Sequence, residues 1–123
     1  MSKMSVVVVS LALLVGCGVK PIKNINSATI YNKTSIENIE KAIVRAGVGL
    51  GWVMNKKSDG RIVGKLALRK HLAIVNITYD QNSYSINYVS SSNLDYANGK
   101  IHGNYNGWIT NLEHAINSQL SLF

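Results

Sequence analysis

Residues 61–69 alternate in a way that limits the fold more than any other stretch of the chain. Ile62, Gly64, Leu66 and Leu68 fall on one side, and Arg61, Val63, Lys65, Ala67 and Arg69 on the other. Successive side chains of an extended chain point to opposite faces, so period two marks a strand with one buried and one wet face. Such a strand needs neighbours, and short connections make them antiparallel. Ser58-Asp59-Gly60 is a hairpin signal after a short strand at 52–56. Residues 71–79 form a third strand, apolar on both faces at its centre through Ile74, Val75 and Ile77. Asp80-Gln81-Asn82-Ser83 turns the chain again, and Tyr84, Ile86 and Tyr88 alternate with Ser85 and Asn87 along a fourth strand. The pattern predicts a four-stranded antiparallel meander.

The period changes on either side of it. Thr34 and Glu37 have the spacing of a capping box, and Ile36, Ile39, Ala42, Ile43 and Ala46 then fall on one helical face. Glu37 and Lys41 make a favourable i,i+4 pair. Gly47, Gly49 and Gly51 end this helix. They do not form a phosphate loop, because no strand precedes them and no Lys-Ser/Thr follows. From Ile101 onward Tyr105, Trp108, Ile109, Leu112 and Ile116 mark a second apolar stripe. The expected fold is therefore α+β, in the order α-β-β-β-β-α. Ile36, Ile39, Ile43, Trp108, Ile109, Leu112 and Ile116 should pack on one sheet face.

The first residues follow another logic. Lys3 precedes a ten-residue apolar run, 6–15, broken only by Ser10. A bilayer span needs about 20 apolar residues, so this run has the length of a signal-peptide core. It ends in Leu14-Val15-Gly16-Cys17, which contains the chain's only cysteine. That ending resembles the bacterial prolipoprotein lipobox, with an aliphatic residue three positions before the Cys and a small one immediately before it. The resemblance implies cleavage between Gly16 and Cys17 and acylation of Cys17, whose thiol carries a diacylglycerol thioether. Two or more acyl chains make such an anchor stable. Residues 1–16 are then a signal peptide, 17–33 the lipidated Cys and a tether, and 34–123 a single domain. Position 18 is Gly and not Asp, which by similarity to enterobacterial sorting points to the outer membrane, facing the periplasm.

The net charge of +7 favours anionic partners. Lys20, Lys23 and Lys33 in the tether would lie near headgroups. The best anion-binding candidate is Arg61, Lys65 and Arg69 along the second strand, followed by Lys70. A solvated sheet face is the plainer reading of that row. It carries no aromatic side chains, which argues against single-stranded nucleic acid. His71, Asn93, His102, Asn104, Tyr105 and Asn106 form a second candidate, a polar patch where the last loop meets the last helix. Its plainer reading is internal bracing. Ser90, Ser91 and Ser92 with Asp95 and His102 suggest a hydrolase only distantly, because no nucleophile elbow or oxyanion hole accompanies them. Three scattered histidines lack metal-ligand spacing. No catalytic residue, metal or cofactor is expected.

Gly51-Trp52, Arg69-Lys70-His71, Ser92-Asn93-Leu94 and above all residues 101–112 resemble a family of small proteobacterial lipoproteins. The tail of that family reads I-H-x-x-Y-N-x-W-I-x-N-L. The resemblance spans about residues 36–120 and implies an α+β envelope domain, with no catalytic residues to carry over. Together these features suggest a lipid-anchored, non-catalytic interaction module. The alternative is a binder of anionic surfaces (lipopolysaccharide, phospholipid or nucleic acid) through the basic face, and the most remote alternative is a small hydrolase.

Overall fold

A computed structural model describes residues 18–123, so Leu14 to Cys17 lie outside the described residues. In chain order the elements are β1 (Val19–Pro21), β2 (Ile25–Thr29), α1 (Ile36–Gly49), β3 (Val53–Ser58), β4 (Arg61–Leu68), β5 (His71–Tyr79), β6 (Ser83–Ser92), β7 (Lys100–His102) and α2 (Gly103–Leu120). Among the described residues the fold is α+β, with two helices beside a five-stranded antiparallel sheet ordered β2-β6-β5-β4-β3. A separate two-stranded ribbon pairs β1 with β7.

The hairpin turns follow from local chemistry. Gly60 has φ +75°, and a Cβ there would sit 2.9 Å from the Tyr79 carbonyl oxygen, so only glycine fits without strain. Asp80 closes the β5–β6 turn by accepting the backbone N–H groups of Asn82 and Ser83 at 2.7 and 2.9 Å. These two donors hold its carboxyl below the usual carboxylate range.

Both helices cover one sheet face. The Tyr79 hydroxyl donates to Glu40 of α1 at 3.0 Å, and the Tyr84 hydroxyl donates to Asn117 of α2 at 2.7 Å. Ile39 and Ile43 of α1 and Ile109, Leu112 and Ile116 of α2 are buried in one core with Ile62, Val75, Ile77 and Ile86 of the sheet. Full burial of each such side chain is worth about 1.5–3 kcal/mol, so this layer supplies most of the drive to fold. Ile36 and Trp108, expected in the core, are only partly buried at its margin.

The segment 17–33, expected to be a tether, is structured from Val19 onward. Ile25 and Ile30 enter the core, and β2 supplies the sheet's fifth strand against β6. Its signal is masked by a bulge: Ile25 lies opposite Ile86 and Ala28 opposite Tyr84, so two residues intervene and period two is lost. Ser27, in that bulge, has φ 54° and donates its N–H to Ser85 Oγ at 2.9 Å.

Three smaller expectations also change. Ser35, not Thr34, caps α1, accepting the Asn38 N–H at 3.2 Å. Thr34 Oγ1 accepts instead from the Asn38 side chain at 2.8 Å. Gly47 lies inside α1, buried against Met54, and the helix continues to Gly49. At the other end Ile101 is a strand residue, so α2 begins only after His102.

Candidate functional site

The polar residues where the last loop meets α2 do come together, and most of them are occupied in holding the backbone. Asn93 has φ 60°, a conformation Asn tolerates, and donates through Nδ2 to the Lys70 carbonyl at 2.6 Å. His71 Nδ1 donates to the Asn93 carbonyl at 2.7 Å. These two bonds fasten the loop after β6 to the β4–β5 turn. His102 is the N-cap of α2: its Nδ1 accepts the Asn104 N–H at 3.1 Å, so its ring proton sits on Nε2. The His71 and His102 rings stack at 6.5 Å, with Trp108 6.1 Å from His71.

Asn106 acts as a clamp on the incoming chain. Its Oδ1 accepts the Lys23 N–H and its Nδ2 donates to the Pro21 carbonyl, both at 2.9 Å. Lys23 Nζ adds a bond to Thr110 Oγ1 at 2.8 Å. Asn104 contributes its backbone N–H to the cap, and its side chain is exposed. Tyr105 does not belong to a surface patch. It is fully buried, packed edge-on against Tyr88, which stacks in turn on the half-exposed Tyr96. Burial pushes the Tyr105 phenol well above its ordinary pKa, and its hydroxyl has no hydrogen-bond partner among the described residues.

The basic row divides. Arg61 and Lys65 lie on the sheet face away from the helices, and Arg61 Nε donates to Asn76 Oδ1 at 2.7 Å. Arg69 and Lys70 leave the strand, which ends at Leu68: they form the β4–β5 turn, with Arg69 at φ 56°. The alternation suggested that the strand ran through Arg69, but the turn needs two residues. The face that remains is nonetheless distinctive. Register places Val53, Val63, Leu72 and Ile74 beside Lys65 and Arg61, with Lys57 in the bulge opposite Arg61. None of the six acidic residues of the chain lies in any strand, so this face carries cations without carboxylates.

Among the described residues, charged partners for cations occur only at Lys56, which sits on the helix face. Its Nζ is 3.0 Å from Glu40 and 3.4 Å from Asp59, and the Glu40 hydrogen bond holds its pKa above the ordinary value. Ser91 Oγ is bonded to the Tyr88 hydroxyl at 2.8 Å. Among the described residues no group of three or more His, Cys, Asp or Glu forms a metal-holding cluster, and no helix is long and apolar enough to cross a membrane. A shallow groove runs between the end of β2 and the end of α2, past Tyr31, Asn32, Asn117 and Leu120.

The sequence does not disclose the structured β1–β2 segment, and the open sheet face, expected to be the more polar one, is half apolar. That face had a signal: Val63, Leu72 and Ile74 are apolar residues on the face that the helices do not use. No known protein family, curated protein or solved structure matches this chain.

Proposed function

We propose that this chain is a lipid-anchored cell-envelope protein whose folded part is a non-catalytic interaction module, held at the outer membrane and facing the periplasm. The lipobox-like Leu14-Val15-Gly16-Cys17 and the tail from Ile101 to Leu112 support the envelope assignment and its kinship to small proteobacterial lipoproteins. The observation that carries the interaction role is the uncovered sheet face. Val53, Val63, Leu72 and Ile74 lie there among Lys57, Arg61 and Lys65, with no carboxylate. A half-apolar, cation-bearing face left bare by both helices suits a partner with apolar and acidic groups. The bracing roles of His71, Asn93, His102 and Asn106 favour this face over the loop–helix junction.

The test is a photoreactive side chain placed singly at Val53, at Ile74 and at Glu37 of α1, in intact cells. Discrete adducts from the first two positions and not from Glu37 support the face. Adducts from Glu37 alone would move the site elsewhere. The anionic-surface alternative draws on Arg61 and Lys65, and it predicts binding that weakens steeply with added salt.

A further inference from the structure

The two ends of the sheet differ in net charge, because the carboxylates gather at one of them. One end is marked by the Asp59-Gly60 turn, the Asp80 turn and the start of α1, where Gln81 Nε2 donates to the Thr34 carbonyl at 3.1 Å. Four of the six carboxylates belong to this end, Asp59 and Asp80 in the turns and Glu37 and Glu40 early in α1, and with Lys33, Lys56, Lys57 and Arg61 beside them it is close to neutral. The opposite end holds the Arg69-Lys70 turn, the loop after Ser92 and the β1–β7 ribbon, linked through Asn93, His71 and His102. Four exposed cations lie here, Lys20, Arg69, Lys70 and Lys100, with Asp95 as the one carboxylate. Among the described residues none of the four is within ion-pair distance of an acid. Leu68 and Tyr96, 47% and 46% exposed, add apolar surface to the same end.

The chain also enters the fold at this end. Val19 pairs with His102, and only Gly18 separates Val19 from Cys17. The first strand of the described chain therefore starts from the cationic end.

We infer that this end docks on the anionic surface of a phospholipid bilayer, with Lys20, Arg69, Lys70 and Lys100 on headgroup phosphates and Leu68 and Tyr96 at the interface. The choice of a bilayer rests on the envelope reading above, whereas the difference in charge between the two ends is independent of it. Each cation near an anionic leaflet strengthens partitioning about fivefold, and the effect fades beyond a Debye length, so only this end contributes. The carboxylates at the far end are then turned away from the leaflet.

The test uses full-length chain carrying Cys17→Ala, so that no lipid assists binding. It is compared with two derivatives: Arg69→Glu/Lys70→Glu/Lys100→Glu at the cationic end, and Lys33→Glu/Lys57→Glu/Arg61→Glu elsewhere. Sedimentation with vesicles of phosphatidylglycerol and phosphatidylcholine reads partitioning. Pure phosphatidylcholine vesicles read the contribution of residues 1–16, which all three chains share. Reversal at the cationic end should weaken partitioning at least tenfold on the anionic vesicles, and reversal elsewhere less than threefold. The parent chain should lose binding as salt rises, a reading that needs no charge reversal. Equal loss from both derivatives, no loss from the first, or binding that ignores salt would overturn the proposal. Because the assay contains no lipidated protein, its failure is separate from any failure of acylation at Cys17.

Discussion

Val19 lies opposite His102 in the β1–β7 ribbon, and His102 accepts the Asn104 N–H at 3.1 Å to cap α2. The first strand of the described chain is thus fixed to the residue that starts the last helix. Asn106, one turn into that helix, clamps Pro21 and Lys23 through 2.9 Å bonds. The segment from Val19 to Lys23, expected to belong to a tether, is therefore held against the domain.

The cap makes the first prediction. His102→Ala should lower stability by about 1 kcal/mol, the usual value of a side-chain N-cap, while His102→Asn should retain most of it. Urea unfolding of the two variants checks this, and equal losses would show that the ring's packing matters more than its Nδ1.

Gly60 and Gly49 should respond in opposite directions to alanine. At Gly60 a Cβ meets the Tyr79 carbonyl oxygen at φ +75°, so Gly60→Ala should cost roughly 1–3 kcal/mol. At Gly49, in the exposed last turn of α1, nothing lies within 4 Å, and Ala should be neutral or stabilising by up to about 1 kcal/mol. Thermal melts of both variants decide the matter.

Two buried tyrosines should also separate. The Tyr105 hydroxyl has no partner among the described residues, so Tyr105→Phe should leave stability unchanged or raise it, by up to about 1 kcal/mol. Tyr84→Phe removes a 2.7 Å bond to Asn117 and should cost about 1 kcal/mol. If Tyr105→Phe is the more damaging of the pair, its hydroxyl has a partner in solution.

Alkaline pH should unfold the domain through its phenols. Burial, helped by the Glu40 hydrogen bond, pushes Tyr79 up to about 12. Burial raises Tyr84 and Tyr105 as well. A phenol raised in the folded state contributes stability that is intact below its ordinary value of about 10 and is lost as pH rises through the folded value. Stability should therefore fall from about pH 10 upward. The phenolate absorbance of these three side chains should appear together with loss of circular dichroism. Full phenolate absorbance in a still-folded protein would contradict this.

How much was legible depended on whether the period survived. The meander could be read because Ile62, Leu66, Val75, Ile77, Tyr84 and Ile86 keep strict alternation and are all buried. The α2 stripe was legible for the same reason, through Ile109, Leu112 and Ile116. Strand β2 was hidden because the Ser27 bulge breaks its alternation, and β1 because three residues paired to a distant strand leave no local pattern. His102 and Asn106 could be picked out as unusual residues near a helix start. Their partners could not be named, since Asn106 reaches Pro21 and Lys23 across more than eighty positions. The difference in charge between the two ends depends on which turns share an end of the sheet, a property of topology that a linear charge count cannot express.

The most direct measurement of the central claim is mass spectrometry of the N-terminal peptide of this protein, recovered from membranes of its native cells. The account predicts a peptide that begins at Cys17, with a diacylglycerol thioether on its sulfur and an acylated amino group. A mature chain that begins elsewhere, or a Cys17 recovered as a free thiol, would contradict it.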